Sequence, residues 1–156
     1  MIKRLSTLTH LNSDHFKALG ITHALLLIDV DNTLLSPIDK NISEELIQWI
    51  KQISANHQIL LCTNNFTKRQ FKVGTDLNLP ILMRSSKPFP WRVRAYLKQH
   101  QVDLNSVIVI GDQVMTDVLL AIWLKRPYYL IKPMIIDRHW ITRFFRILES
   151  MVIEDE

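Results

Sequence analysis

Cysteine and glycine are almost missing from this chain. Cys62 is the only cysteine, which excludes an intrachain disulfide and a cysteine-built zinc cluster and fits a reducing, cytoplasmic compartment. Glycine occurs three times, at Gly20, Gly74 and Gly111, too sparsely for a glycine-rich phosphate loop. Long apolar runs are missing as well. Ala24–Ile28 is the longest near the start, far short of the ~18 residues that suggest a membrane span. The first ten residues are basic but lack the apolar centre of a secretory signal. Nor does one sign of charge dominate. Nineteen basic against fifteen acidic residues leave +4, a value that suits solubility and does not by itself demand a polyanionic partner.

What is present is an ordinary globular composition. At 47% apolar and 22% charged over 156 residues, the chain is read as one domain, 1–156, large enough to fold without metal or disulfide. No repeat or Gly/Ser linker divides it. Ala24–Ile28 is a continuous apolar run bounded by polar residues, the mark of a strand buried on both faces. Residues 58–63, 81–83, 106–110 and 128–131 read as further strands. Asn41-Ile-Ser-Glu44 has the form of a capping box with Asn41 as the cap, opening a helix with Leu46, Ile47, Ile50 and Ile53 on one side. Helices are expected from Thr67 to about Leu77, from Pro90 to about His100, and from Thr116, as its cap, to Lys125. Strands alternating with helices at this spacing predict an α/β domain, a doubly wound, Rossmann-like parallel sheet of about five strands with helices on both faces.

Such sheets bind ligands beyond the carboxyl ends of their strands. There the sequence sets Asp29 and Asp31, then Thr63 and Asn64, then Lys87, then Asp112 with Asp117 beyond. Asp29 and Asp31 lie two residues apart on extended chain, so their side chains point the same way. Two carboxylates together are costly unless a cation or a proton comes between them. One aspartate at a strand end commonly just caps a turn; four at one sheet edge point to a hard-metal site. Oxygen ligands without His or Cys select Mg²⁺ over zinc. The six histidines show no metal-ligand spacing. Lys87 precedes Pro88 in a loop after a strand, a place where function is commoner than for most lysines.

These strings, Asp29-Val-Asp-Asn-Thr-Leu34, Thr63-Asn-Asn65, Lys87-Pro88 and Gly111-Asp-Gln-Val-Met-Thr-Asp117, resemble the haloacid-dehalogenase-like hydrolase superfamily. They are similar to its YqeG-type phosphatase branch, which is itself similar to phosphatidylglycerophosphate phosphatases. The resemblance runs over about residues 8–150. It implies Asp29 as nucleophile, forming an aspartyl-phosphate, and Asp31 as general acid and base that also offers its main-chain carbonyl to Mg²⁺. It implies Thr63, Asn64 and Lys87 as the phosphate-binding residues, with Asp112 completing the metal site and Asp117 supporting either Lys87 or a metal-bound water from behind. It also implies a phosphatidylglycerophosphate substrate. The likeness weakens after Asp117, where Val118–Arg126 is bulky in place of the family's small residues. Any substrate contact by Arg126 is left open.

The requirement for cations has a physical basis. A carboxylate about 4 Å from a phosphate dianion meets roughly 8 kcal/mol of repulsion at an effective dielectric near 20. A metal ion and a lysine offset it. From Asp31 to Thr63 there are 31 intervening residues and from Thr63 to Lys87 there are 23; one βα unit uses up each stretch, leaving no room for a cap domain. An uncapped site favours a phosphate on something large or surface-bound, such as a lipid headgroup, a protein or a nucleic-acid end. The segment 138–151 is expected to form an amphipathic helix with Trp140, Ile141, Phe144, Phe145 and Leu148 on one face. Packing on the domain is the favoured use of that face. Contact with the inner membrane surface is the other. The alternatives to the lipid phosphate are a phosphoprotein, sugar or nucleotide phosphate, or a non-catalytic nucleic-acid or ribosome-associated binding module. The paired acids count against the last.

Overall fold

In the computed structural model, residues 2–134 are described; the amphipathic segment expected at 138–151 lies outside them. Six strands form one parallel sheet: β1 (Ile2–Leu5), β2 (Leu25–Ile28), β3 (Gln58–Cys62), β4 (Ile81–Leu82), β5 (Val107–Gly111) and β6 (Tyr128–Ile131), in the order β1-β6-β5-β2-β3-β4. Five of these fall where the apolar runs place them. The sixth, β1, comes from the basic start of the chain, where a four-residue edge strand leaves too short a pattern to read. It pairs with β6 from Ile2 against Tyr128 to Leu5 against Ile131.

The central strand β2 is Leu-Leu-Leu-Ile, buried throughout. Alternation assigns its side chains to two cores. Leu26 and Ile28 join Ile59, Leu61, Ile108, Ile110 and Tyr129 on one face. Leu25 and Leu27 join Leu60, Cys62, Val107, Val109 and Tyr128 on the other. Each fully buried leucine or isoleucine contributes about 1.5–3 kcal/mol relative to exposure. A central parallel strand therefore has no use for a polar residue until it ends.

The first core is covered by α1 (Ser13–Lys17), α2 (Glu44–Ser54) and α3 (Lys68–Leu77), the second by α4 (Trp91–Gln99) and α5 (Leu119–Leu124). Helix α2 starts two residues later than the expected box: Ser43, not Asn41, is the cap, its Oγ accepting from the Leu46 N–H at 3.3 Å. The buried face is Leu46, Trp49, Ile50 and Ile53, with Ile47 half-buried. Trp49 belongs inside because its indole N–H finds the Leu11 carbonyl at 2.7 Å. The segment after β5 also departs from expectation. Thr116 caps nothing; it lies within a π-helical turn, Val114–Val118, that leads into α5. The bulky residues after Asp117 are accommodated by letting Ile122 and Trp123 face outward. Among the described residues no helix is long and apolar enough to cross a membrane.

Candidate active site

Because all strands run parallel, every connection leaving a carboxyl end emerges at the same edge. Asp29 follows β2 directly, and its N–H still bonds to the Ile110 carbonyl at 2.9 Å, as the last rung between β2 and β5. Asp112 follows β5, and Thr63 follows β3, with its N–H on the Leu82 carbonyl at 3.1 Å. Asp117 reaches back from the π-helical turn. Lys87 comes from the loop after β4.

These residues meet in a buried cluster. Lys87 Nζ lies 2.5 Å from Asp29 Oδ1 and 2.6 Å from Asp117 Oδ1. Carboxylate oxygens of Asp29, Asp112 and Asp117 all fall within 4.8 Å of one another. Thr33 is buried and its hydroxyl donates to Asp112 Oδ1 at 3.5 Å. Electrostatics follow from burial. Desolvation pushes the Asp29 carboxyl up to about 8; the negative Asp117 and Asp112 add to the rise and Lys87 opposes it. For Lys87 burial favours the neutral amine, yet the charges of Asp117 and Asp29 prevail and hold it above its ordinary value, as an ammonium. Cys62, just inside β3, is pushed up to about 11 by burial and stays an unreactive thiol.

Three buried acids facing one ammonium are short of positive charge when all are ionised, a deficit that a proton on Asp29 or a bound cation can fill. The donor set is all oxygen, which fits a hard divalent cation such as Mg²⁺ and not zinc. The sequence expectation put Asp29, the Asp31 carbonyl and Asp112 around that ion. The carboxylates of Asp29 and Asp112 are gathered as that expectation has them, and the carboxylate of Asp117 joins them.

The Asp31 side chain points elsewhere. Its Oδ2 accepts from Thr63 Oγ1 at 3.1 Å and Asn65 Nδ2 at 2.8 Å, its Oδ1 from Gln70 Nε2 at 2.9 Å and Arg69 Nη1 at 3.2 Å. Arg69 in turn donates to the Ser36 carbonyl. Four donors, one cationic, fix the orientation of this carboxylate. The Asn64 side chain bonds to the loop that carries Lys87. Its Oδ1 accepts from the Lys87 N–H and Ser85 Oγ at 2.8 and 2.9 Å, and its Nδ2 donates to the Lys87 carbonyl at 2.8 Å. Asn64 thus clamps the lysine loop, in which Arg84 and Ser86 adopt left-handed backbone and the Lys87–Pro88 peptide is cis. Arg126 lies at the opposite edge, bonded to Asn105 and to the Val107 carbonyl, and is far from any role at this site. Thr33, Asn65, Arg69 and Gln70 are the participants that sequence reasoning passed over. Arg69 and Gln70 sit in the first turn of α3, and only the sheet order brings that turn beside Asp31.

Gly111 is required here for space. A Cβ on it would lie 2.3 Å from Asp117 Oδ2 and 2.5 Å from its Cγ. Asp117 cannot retreat cheaply, since its oxygens hold Lys87 and the Gln113 N–H. Gly111→Ala is expected to cost about 1–3 kcal/mol in denaturant unfolding. Displacing the Lys87 bracket by an ångström should lower turnover about a hundredfold. Unchanged activity in this variant would show that Asp117 does not position Lys87.

Comparison with known proteins agrees with this geometry. The profile of the mitochondrial PGP phosphatase family matches residues 3–125. The chain is 26% identical over 129 residues to the "Probable phosphatase YqeG" of Bacillus subtilis (strain 168), covering 82% of this chain and 75% of that one. Among solved structures, a hypothetical protein from Xanthomonas campestris superposes with TM-score 0.55 at 25% identity, over 80% of this chain and 72% of that one. The core domain of a Streptococcus pneumoniae TIGR4 protein described as a phosphoglycolate phosphatase matches with TM-score 0.50 at 20% identity, over 81% and 97%; this likeness is one of fold. With the family profile spanning most of the sheet and every strand end that carries an acid, the chain belongs to the mitochondrial PGP phosphatase family, a haloacid-dehalogenase-like group of phosphoric monoester hydrolases.

Proposed function

We propose that the protein is a Mg²⁺-dependent phosphatase that works through an aspartyl-phosphate on Asp29, with phosphatidylglycerophosphate as substrate and phosphatidylglycerol as product. The observation that carries the reading is the buried Lys87 held between Asp29 and Asp117 beside Asp112. In the proposed reaction an Asp29 carboxylate oxygen bonds to phosphorus as the bond to the leaving oxygen breaks, and Asp31 delivers a proton to that oxygen. Asp31 then takes a proton from water, which attacks the acyl phosphate, freeing inorganic phosphate and restoring the Asp29 carboxylate.

The chain's own residues have distinct tasks in this scheme. Lys87 neutralises phosphoryl oxygens, and Thr63 lines the same edge as a hydroxyl donor. Asn64 and Asp117 keep Lys87 in place. Arg69, Gln70 and Asn65 aim the Asp31 carboxylate. Asp29 and Asp112 would hold Mg²⁺ together with the Asp31 main-chain carbonyl, with Asp117 behind them. The ion supplies Lewis-acid neutralisation of charge on the transferring phosphoryl group.

The substrate class draws support from the open edge and from the family match. The test is hydrolysis of a panel: an aryl phosphate, sugar and nucleotide phosphates, a phosphopeptide, and phosphatidylglycerophosphate in micelles, each with Mg²⁺ and with excess chelator. The lipid should be turned over with the highest kcat/KM, and chelation should abolish all activity. A lipid rate no better than that of the soluble phosphates would reject the substrate, and full activity in chelator would reject the metal requirement.

A further inference from the structure

We propose that the rim of the active edge is a docking surface for an anionic lipid bilayer. Nine large hydrophobic side chains are exposed among the described residues. Six of them, Ile38, Phe66, Phe89, Trp91, Met115 and Met134, lie in connections or first helical turns that follow a strand's carboxyl end. The other three, Phe71, Ile122 and Trp123, are on helices α3 and α5. The six are absent from the opposite edge, toward which the last turn of α5 carries Ile122 and Trp123 and where a cavity of about 520 Å³ is lined by polar groups including His23, Asn56, His57, His100 and Asp103. Scattered exposed apolar residues need no explanation, but their concentration around one mouth does.

Four of the six are tied to the catalytic residues. Phe66 follows Asn65, whose side chain holds Asp31 and whose carbonyl accepts from the Arg84 N–H. The Arg84 guanidinium covers the Phe66 ring at 4.3 Å from its centroid. Phe89 is two residues from Lys87 and stacks on Trp91, with centroids 4.6 Å apart. The Met134 N–H bonds to the Asn32 carbonyl, next to Asp31. A surface pressed on this rim therefore meets the mouth of the phosphate site.

Charge selects the occupant. Lys40, Lys68, Arg84, Arg92 and Lys132 are exposed on the same tier, against Asp39 and the α2 first-turn acids Glu44 and Glu45, which complement that helix's N-terminus. Aromatic side chains interleaved with basic ones suit the interface of a bilayer, where rings sit at headgroup depth and ammonium groups meet lipid phosphates. The geometry of the rim stands without any particular substrate. Only its purpose, presenting a headgroup to Lys87, rests on the reading of this edge as catalytic.

The experiment is co-sedimentation of the full chain with phosphatidylcholine vesicles, with and without phosphatidylglycerol. Retention should need the anionic lipid, weaken as salt rises, and fall at least about tenfold in Phe66→Ser/Trp91→Ser. Aryl-phosphate hydrolysis should be unchanged in that variant, which also reports that it folds. Trp123→Ser should bind as the parent does. In a folded protein that avoids truncation, quenching of tryptophan fluorescence by brominated lipid should drop in Trp91→Phe. Parent protein that ignores anionic vesicles, rim variants that bind as well as the parent, an equal loss in Trp123→Ser, or quenching unaltered in Trp91→Phe would each overturn the proposal. Vesicle binding without hydrolysis of lipid phosphate would instead sink the substrate reading and leave the surface standing.

Discussion

Replacing Lys87 by methionine should be the most destabilising single change in the catalytic cluster, at about 3–5 kcal/mol in denaturant unfolding at pH 7.5. Methionine fills similar space, so the loss is electrostatic. The lysine side chain is 4% exposed and bonds Asp29 and Asp117 at 2.5 and 2.6 Å. Removing the ammonium leaves three neighbouring carboxylates with no counter-charge from that side. They can be tolerated only by taking up protons. With Asp29 already pushed up to about 8 by burial, the folded variant binds more protons than the unfolded chain near neutrality. Its stability therefore falls as pH rises and recovers as pH drops toward 5.5. Chemical denaturation of the variant at the two pH values checks this. A loss under 1 kcal/mol would mean that the pair contributes nothing beyond a surface contact. Turnover should drop by at least a hundredfold, the usual effect of deleting a group that neutralises developing charge.

The second large effect runs the opposite way in stability. Asp29→Asn should remove turnover altogether, since an amide oxygen cannot form and release an acyl phosphate. Yet the fold should not suffer. The substitution removes one of three crowded buried acids, and an amide oxygen still accepts from Lys87. The melting temperature measured in chelator should be equal to or above that of the parent. Addition of Mg²⁺, expected to raise the parent's melting temperature by mass action, should raise the variant's less, because a ligand to the ion is gone. Activity surviving in Asp29→Asn would reject covalent catalysis.

How much of this was legible in the sequence depends on the length of the signal. β2, β3 and β5 are unbroken apolar runs that end on Asp29, Thr63 and Asp112, so both the sheet and its polar edge were readable. The edge strand β1 was not, being four residues of mixed character. Ser43 and Asn41 are both good caps, and one sequence cannot say which turn closes first. The π-helical turn at Val114–Val118 carries Asp117 toward Gly111, and no periodicity announces such a turn. The clearest gap is the Asp31 network. Arg69 and Gln70 look like ordinary polar residues of an amphipathic helix. Their tasks are set by which loops the parallel sheet makes neighbours, information that lies between segments and not within one.

The central claim is that Asp29 carries the phosphoryl group during turnover. Acid quenching of the enzyme while it hydrolyses a radiolabelled phosphomonoester, followed by peptide mapping, tests it most directly. Base-labile label on the peptide containing Asp29, and none in Asp29→Asn, is the predicted result. Full turnover with label on no peptide, or on one that lacks Asp29, would contradict it.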